Sequence, residues 1–457
     1  MKVLLISSNI TSNPYPVYPL GVSMIAGVLS NTGHEVYQFD FLEKKQSLEA
    51  LKGFINEKKP DLVGISIRNI DNTNILSEHY YIEDAKKIVQ CIRGETNALI
   101  ILGGAGFSLM PEVILNEVGA DYGIVGEGEY LISEFVNNAA RNIYPEERCI
   151  RSKSNISGRE IPSADYDPDI MDFYLKSGNF GSVQTKRGCS HKCVYCSYPV
   201  LEGAALRCRD PKAVVDDICF LIEKYNVKYI FFTDSVFNDD NKKYLDIVKE
   251  MDKRDVVIPW TAFFKPEGLD EASVKLMKKT GLKTVEIGVD APSDITLSGL
   301  GKTFRFKDVI ECSELFARHD IPAAHYYMFG CPGETKETVL EGINNIKNLK
   351  KVVSFIYMGI RIIPNTGLAE LAYKEGVIKK EQGFLKPVYY IAPGIDKQWL
   401  EKILSDAFSG NKYCIFPPDI FEKKIQFLYK LGFPGPLWDT LISGDRKRKR
   451  KKTYEAK

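Results

Sequence analysis

From residue 1 to residue 140 the apolar pattern keeps switching between short β-branched runs and stretches that repeat every three to four residues, and no other feature limits the possible folds so sharply. Lys2–Ser7 (KVLLIS), Val36–Asp40, Leu62–Ile67, Leu99–Leu102 and Tyr122–Val125 read as buried strands. Between them, Leu20, Met24, Ile25, Val28 and Leu29 share one helix face that Gly33 ends, and Leu48, Leu51, Phe54 and Ile55 repeat the pattern. This alternation predicts an α/β fold, a doubly wound, Rossmann-like parallel sheet with its ligand crevice at the carboxyl ends of the strands. Those ends carry Ser66 and Arg68, then Gly103, Gly104, Ala105 and Gly106, then Gly126, Glu127, Gly128 and Glu129.

Residues 141–180 lack sustained periodicity, contain Pro145, Pro162 and Pro168, and read as a linker. The strand–helix theme resumes over 181–365, with strands at Ser182–Lys186, Tyr229–Thr233, Ile258–Phe264, Thr284–Val289, Ala323–Phe329 and Phe355–Ile363. Helices are expected at about 211–225, 241–254, 269–280, 306–319 and 334–349. These strands are too few to close an eight-stranded barrel, so a partial TIM-like (β/α)6 barrel is expected, with its site at the carboxyl ends of the strands. Residues 366–445, with Tyr389, Tyr390 and the run Phe433–Trp438, read as a helical cap over the barrel mouth.

Lys and Arg number 61 against 60 Asp and Glu, so no global field draws in nucleic acid or an anionic membrane. The exception is the tail 446–457, whose run RKRKRKK reads as a self-repelling, solvated block or a weak anionic-surface contact. The N-terminus lacks a secretory pattern and no apolar run is long enough to span a bilayer. A cytoplasmic location is therefore expected. The 10 cysteines are too sparse for a disulfide scaffold, and three of them are clustered, as at a metal site in a reducing compartment.

That cluster is KRGCSHKCVYCSYP, with Cys189, Cys193 and Cys196 on a loop directly after the first barrel strand. Three thiolates at this spacing can take three corners of a cubane [4Fe–4S] cluster and leave its fourth iron open. Zinc would ordinarily take a fourth Cys or His at a recognisable spacing, and His191 lies too deep in the short turn to fold back onto the same metal.

Here the chain resembles the radical S-adenosylmethionine superfamily, in which the open iron is chelated by S-adenosylmethionine and an electron from the cluster generates a 5′-deoxyadenosyl radical. Further motifs follow in order: FFTDSVFN, VEIGVDAPSD, GKTFRF, FGCPGET and RIIPNTGL. The resemblance implies that Tyr195, Asp234, Glu286, Arg305, Gly330 and Arg361 contact S-adenosylmethionine, with Lys302 matching beside Arg305. Taken alone, Asp234 and Glu286 read equally as helix caps or surface charges. Cys331 stands where the motif has leucine and reads as a small buried residue.

The preceding sheet resembles the cobalamin-binding subgroup of that superfamily through PVYPLGVSMIAGVLSNTGHEVYQFD, GISIRNIDN, ILGGAGF and DYGIVGEGE. The resemblance implies that Leu20, Gly21, Ser66, Arg68, Gly103, Gly104, Ala105, Gly126, Glu127 and Gly128 hold cobalamin. Ser8–Pro16 contains no histidine, so cobalamin is expected to bind without a histidine ligand. Arg68 would lie under that face, where a guanidinium has no lone pair to give cobalt, or would pair with Asp71. The implied activity is C-methylation of an unactivated carbon in a small-molecule, lipid or peptide substrate, with methyl passing from S-adenosylmethionine through cobalamin and electrons coming from a flavodoxin or ferredoxin. Ring closure or rearrangement without methyl transfer, transfer-RNA methylthiolation and a non-catalytic cobalamin sensor are the competing readings. Trp260, Phe263, Phe264, Tyr326 and Tyr327 lie on strands that could line the substrate cavity or serve as plain core.

Overall fold

The computed structural model describes residues 1–12 and 15–442, so the basic tail at 446–457 lies outside the described residues. In the first module alternate side chains leave each strand on opposite faces. From Lys2–Ser7, Val3 and Leu5 pack with Val22, Leu29, Ile132 and Val136, while Leu4 and Ile6 pack on the other side with Leu51, Ile55, Ile88 and Ile92. Both faces are covered by helices, which is why the strands read as continuous apolar runs. The sheet is parallel throughout, in the order Glu35–Asp40, Lys2–Ser7, Leu62–Ser66, Leu99–Gly103, Tyr122–Val125, Cys149–Arg151. Its order reverses beside Lys2–Ser7, which opens a crevice at the carboxyl ends of that strand and of Leu62–Ser66.

The stretch read as a linker is more ordered than its sequence suggests. Cys149–Arg151 joins the sheet edge, pairing Gly123 with Cys149, although three residues are too few to display a period. Pro168–Lys176 is a helix begun by Asp167, whose side chain accepts from the Asp169 and Ile170 amides, and its face of Ile170, Met171 and Tyr174 packs into the barrel core.

The second module is a parallel, 7-stranded open barrel in the order Phe180–Val183, Tyr229–Phe232, Trp260–Phe264, Val285–Asp290, Ala323–Phe329, Val352–Met358, Cys414–Ile415. The last strand comes from the region read as cap, and its two residues pair with Ser354 and Phe355. The helix expected at 211–225 is present as Pro211–Tyr225, which starts at the Asp210 side-chain cap and ends at Asn226 in the left-handed region. The cap reading itself needs correction. Phe421, Ile425, Tyr429, Leu437 and Trp438 pack among Phe180, Phe231, Ala324 and Val353, so this segment fills the barrel interior. It enters beneath the strands, where Gly435 donates to the Gly178 carbonyl at 3.0 Å. Among the described residues no helix is long and apolar enough to cross a membrane.

Candidate functional site

A single cavity of 1110 Å3 runs from the first module's crevice into the barrel, and it contains every residue the resemblance assigned to cobalamin. It exceeds the roughly 300–1,000 Å3 of an ordinary small-molecule pocket, so there is room for a macrocyclic cofactor. The turn after Leu99–Gly103 is built for close approach. Gly104 sits at φ +96, and a Cβ there would lie 2.6 Å from the Ile67 carbonyl oxygen and 3.0 Å from Ser66 Oγ.

Arg68 projects into this cavity with no hydrogen bond or ion pair among the described residues. Its alternative partner is taken: Asp71 accepts from Arg361 Nε at 2.7 Å, and both side chains are almost completely buried. His79 is the one histidine among the cavity-lining residues, and its Nε2 is 3.0 Å from Asp84. Glu127 lines the crevice but is committed elsewhere. It receives Arg207 Nη1 at 2.7 and 2.8 Å, Arg187 Nη1 at 3.2 Å and the Ile156 amide at 2.9 Å. Arg187 also reaches Glu129 at 2.6 Å, so a buried four-residue ion network clamps the crevice to the strand that leads into the cysteine loop.

The cysteine loop is pinned on several sides. Cys189 N donates to the Gly203 carbonyl, Val194 N to Leu300 and Cys196 N to Cys193, while the Val194 carbonyl accepts from Leu368 N. Burial pushes the Cys196 thiol up to about 12 and also raises Cys193, so loading metal here must displace protons. The loop supplies three thiols and no fourth protein ligand at a zinc spacing, a donor set that suits three corners of a cubane. Ser197 and Tyr198, directly after Cys196, line the cavity, which brings the loop to the cofactor crevice.

The residues assigned to S-adenosylmethionine divide. Tyr195 is in the loop, and its hydroxyl donates to Asp290 at 2.6 Å. Gly330 ends its strand at φ +93, and its amide donates to Glu334. Three others are engaged by protein groups or stand exposed. Asp234 is buried and accepts from Thr185 N at 2.7 Å, Thr185 Oγ1 and Lys186 N, holding the strand end that precedes the loop. Arg305 is exposed, and its amide caps the next helix by donating to Asp308. Arg361 fastens the two modules through Asp71 and donates to the carbonyls of Ile362 and Phe384.

Sequence reasoning missed Glu334, whose Oε1 is buried with no partner among the described residues while the other oxygen accepts from the Gly330 and Cys331 amides. Burial raises its carboxyl to about 7. A buried acceptor of this kind at a barrel strand end suits a cationic donor such as the ammonium of S-adenosylmethionine. Cys331 is fully buried, with its thiol 3.2 Å from the Met328 carbonyl, as a small core residue should be.

Glu286 is a second departure. It points into the barrel and accepts from Tyr326 at 2.8 Å, from Tyr15 at 3.2 Å and from Trp438 Nε1 at 3.5 Å. Burial lifts its carboxyl to about 7. Tyr15, Tyr326 and Trp438 all line the cavity, together with Phe355 and Tyr357, so an aromatic chamber ends on this acid. Of the aromatic candidates on the strands, Tyr326 faces this chamber and Phe263 packs within it, whereas Trp260, Phe264 and Tyr327 face the helices. Trp438 read only as part of a cap and Tyr15 as nothing in particular, because their meeting joins opposite ends of the chain.

Comparison with known proteins bears on both modules. Residues 6–136 match the B12 binding domain family and residues 183–346 match the Radical SAM superfamily. The tryptophan 2-C-methyltransferase of Streptomyces laurentii is 23% identical over 433 residues, covering 78% of this chain and 72% of that protein. An uncharacterized methyltransferase of Pyrococcus horikoshii is 27% identical over 348 residues, covering 72% and 73%. The structure of the radical S-adenosylmethionine methyltransferase TsrM from Kitasatospora setae, with cobalamin and a [4Fe–4S] cluster bound, superposes with a TM-score of 0.84 at 21% identity, covering 100% of this chain and 99% of that one.

Proposed function

Because the chain belongs to the radical S-adenosylmethionine superfamily and carries a B12-binding domain ahead of the barrel, we propose that it is a cobalamin-dependent methyltransferase acting on a small molecule. The observation that carries this reading is the continuity of one cavity from Arg68 and Gly104, past the residues that follow Cys196, to Tyr326 and Trp438. When bound, the cluster and cobalamin supply electron transfer and methyl carriage; the chain aligns them with substrate and excludes water.

Cys189, Cys193 and Cys196 hold the cluster in this reading, while Tyr195, Gly330 and Glu334 flank the S-adenosylmethionine position. The glycines at 103, 104 and 126, with Ser66, let a large ring settle against backbone. Arg68 faces that ring from the crevice and cannot coordinate cobalt, which supports binding without a histidine ligand. His79 supports the same assignment, since its Nε2 is already engaged by Asp84. An aromatic small molecule suits the chamber, where the Glu286–Tyr326 pair can accept a hydrogen bond or a proton from it. A flavodoxin or ferredoxin is the electron source, in a reducing cytoplasm that suits 10 free thiols.

Methylthiolation would call for a further set of cluster cysteines. Cys91 instead lies on the helix Ile82–Glu95, with its thiol toward the Leu48 carbonyl, and Cys149 is buried on the sheet-edge strand. A sensor would leave the pinned cysteine loop and its orphaned acid unexplained. To test the reading, reduced, anaerobically reconstituted protein is given S-adenosylmethionine with a deuterated methyl group. S-adenosylhomocysteine should form in a cobalamin-dependent manner and be lost in Cys189→Ala. Formation of neither S-adenosylhomocysteine nor 5′-deoxyadenosine would exclude the assignment.

A further inference from the structure

Lys302 occupies a position that neither strand packing nor helix capping explains. Its ammonium is paired with Asp290, and the side chains are only 9% and 17% exposed. It lies 5.6 Å from the centre of the Tyr195 ring, which stands in the loop between Cys193 and Cys196. Tyr195 donates its hydroxyl to that same Asp290 carboxylate at 2.6 Å, so acid, phenol and ammonium form one cage against the cysteine loop.

The backbone fixes this arrangement. Gly301 has φ +73, and a Cβ there would come within 2.8 Å of the Lys192 carbonyl oxygen, so only glycine lets the turn press against the loop. Val194 N reaches across to the Leu300 carbonyl at 3.0 Å, which locks residues on either side of Lys302 and Cys193 together. Asp290 itself adopts φ +71, an unusual conformation for a residue with a side chain, and one that aims its carboxylate at the cage.

We propose that Lys302 is a positioning residue that holds a fixed positive charge against the Cys193 side of the cluster and raises the cluster's reduction potential, with Asp290 as its opposing, potential-lowering counter-charge. Reduction adds one negative charge to the cluster, and a cation held beside the loop that carries its ligands favours the reduced form. Replacing the lysine by an uncharged side chain removes that cation and leaves the Asp290 carboxylate facing the cluster, so both effects lower the potential. Neutralising Asp290 while Lys302 remains does the opposite.

The proposal rests on the cluster assignment, and the test separates the two. Protein is reconstituted with iron and sulfide alone, iron is counted, and the reduced cluster is followed by electron paramagnetic resonance in a redox titration. Wild type should bind about 4 Fe per chain; if it binds none, the cluster reading fails and takes this inference with it. In Lys302→Met with full iron, the ratio of reduced to oxidised cluster at fixed potential should fall at least about tenfold, a midpoint lower by about 59 mV. Lys302→Arg, which keeps the charge, should stay within about twofold of wild type. Asp290→Asn should move the midpoint upward. A Lys302→Met protein with full iron and an unchanged midpoint overturns the inference. Should Lys302→Met not retain its cluster, Asp290→Asn decides, and an unchanged or lowered midpoint there overturns it.

Discussion

Replacing Arg361 by methionine separates the role its motif suggests from the role its geometry gives it. The Arg361 side chain is 3% exposed and Asp71 is fully enclosed; Nε meets Asp71 at 2.7 Å, Nη1 meets the Ile362 carbonyl at 2.6 Å and Nη2 meets that of Phe384 at 2.7 Å. The substitution strands a buried carboxylate and two carbonyls at the junction of the modules. Breaking such a pair from one side costs about 3–5 kcal/mol, because the remaining charge has neither water nor partner. At about 1.4 kcal/mol per tenfold, local opening of the 69–81 loop should become some two to three and a half powers of ten more frequent. Amide hydrogen exchange reads this directly, as faster exchange in that loop and around 360–363 with the remote sheet helices unchanged. Adding Asp71→Leu should recover most of the protection, since an apolar pair replaces a buried ion pair at little cost. Wild-type exchange in Arg361→Met, accompanied by weakened S-adenosylmethionine binding, would refute the clamp and restore the cofactor role.

Three further outcomes follow from the same geometry. Burial raises the Glu286 carboxyl from 4.5 to about 7, so the native protein binds more proton than the unfolded chain between those values; the stabilisation is complete below the lower value and lost as pH rises through the upper one. Stability of wild type relative to Glu286→Gln, followed by denaturant unfolding, should therefore fall by about 3 kcal/mol across that window, and a pH-independent difference would contradict the burial argument. Trp438→Ala should destabilise the barrel by about 3–5 kcal/mol, read from its urea transition, because a ring 1% exposed leaves a void inside it; an unshifted transition would mean the segment is not packed there. Bound cob(II)alamin should show no axial nitrogen splitting in its paramagnetic resonance, with His79→Ala identical to wild type, and splitting lost in that variant would make His79 the ligand.

What could be read ahead of the structure was whatever is encoded locally. Short β-branched runs located the first sheet's strands and the 3.6-residue period its helices, while the side-chain caps at Ser47 and Asp210 bond amides within their own helices. Cys149–Arg151 and Cys414–Ile415 escaped because two or three residues carry no period, and each is held only by a distant neighbour. The crevice glycines were legible because strand ends in a doubly wound sheet face ligand wherever the helices run. The partners of the acids were not. Asp234, Glu127 and Glu286 all stand at promising positions, but the groups that engage them lie 48 to 49, 29 to 80, and 40 to 271 residues away in the chain. A motif fixes where a carboxylate starts, whereas tertiary packing fixes what it bonds.

The central claim is that one chain brings an iron–sulfur cluster with an open iron and a cobalamin into a shared cavity. Anaerobic reconstitution with iron, sulfide and hydroxocobalamin, followed by desalting and metal analysis, tests it most directly. About 4 Fe per chain and stoichiometric cobalt are expected, with iron lost and cobalt kept in each of Cys189→Ala, Cys193→Ala and Cys196→Ala. Gly104→Val should do the reverse, since its side chain collides with the Ile67 carbonyl at the crevice floor. Wild-type protein that emerges colourless, or iron retained by all three cysteine variants, would contradict the account.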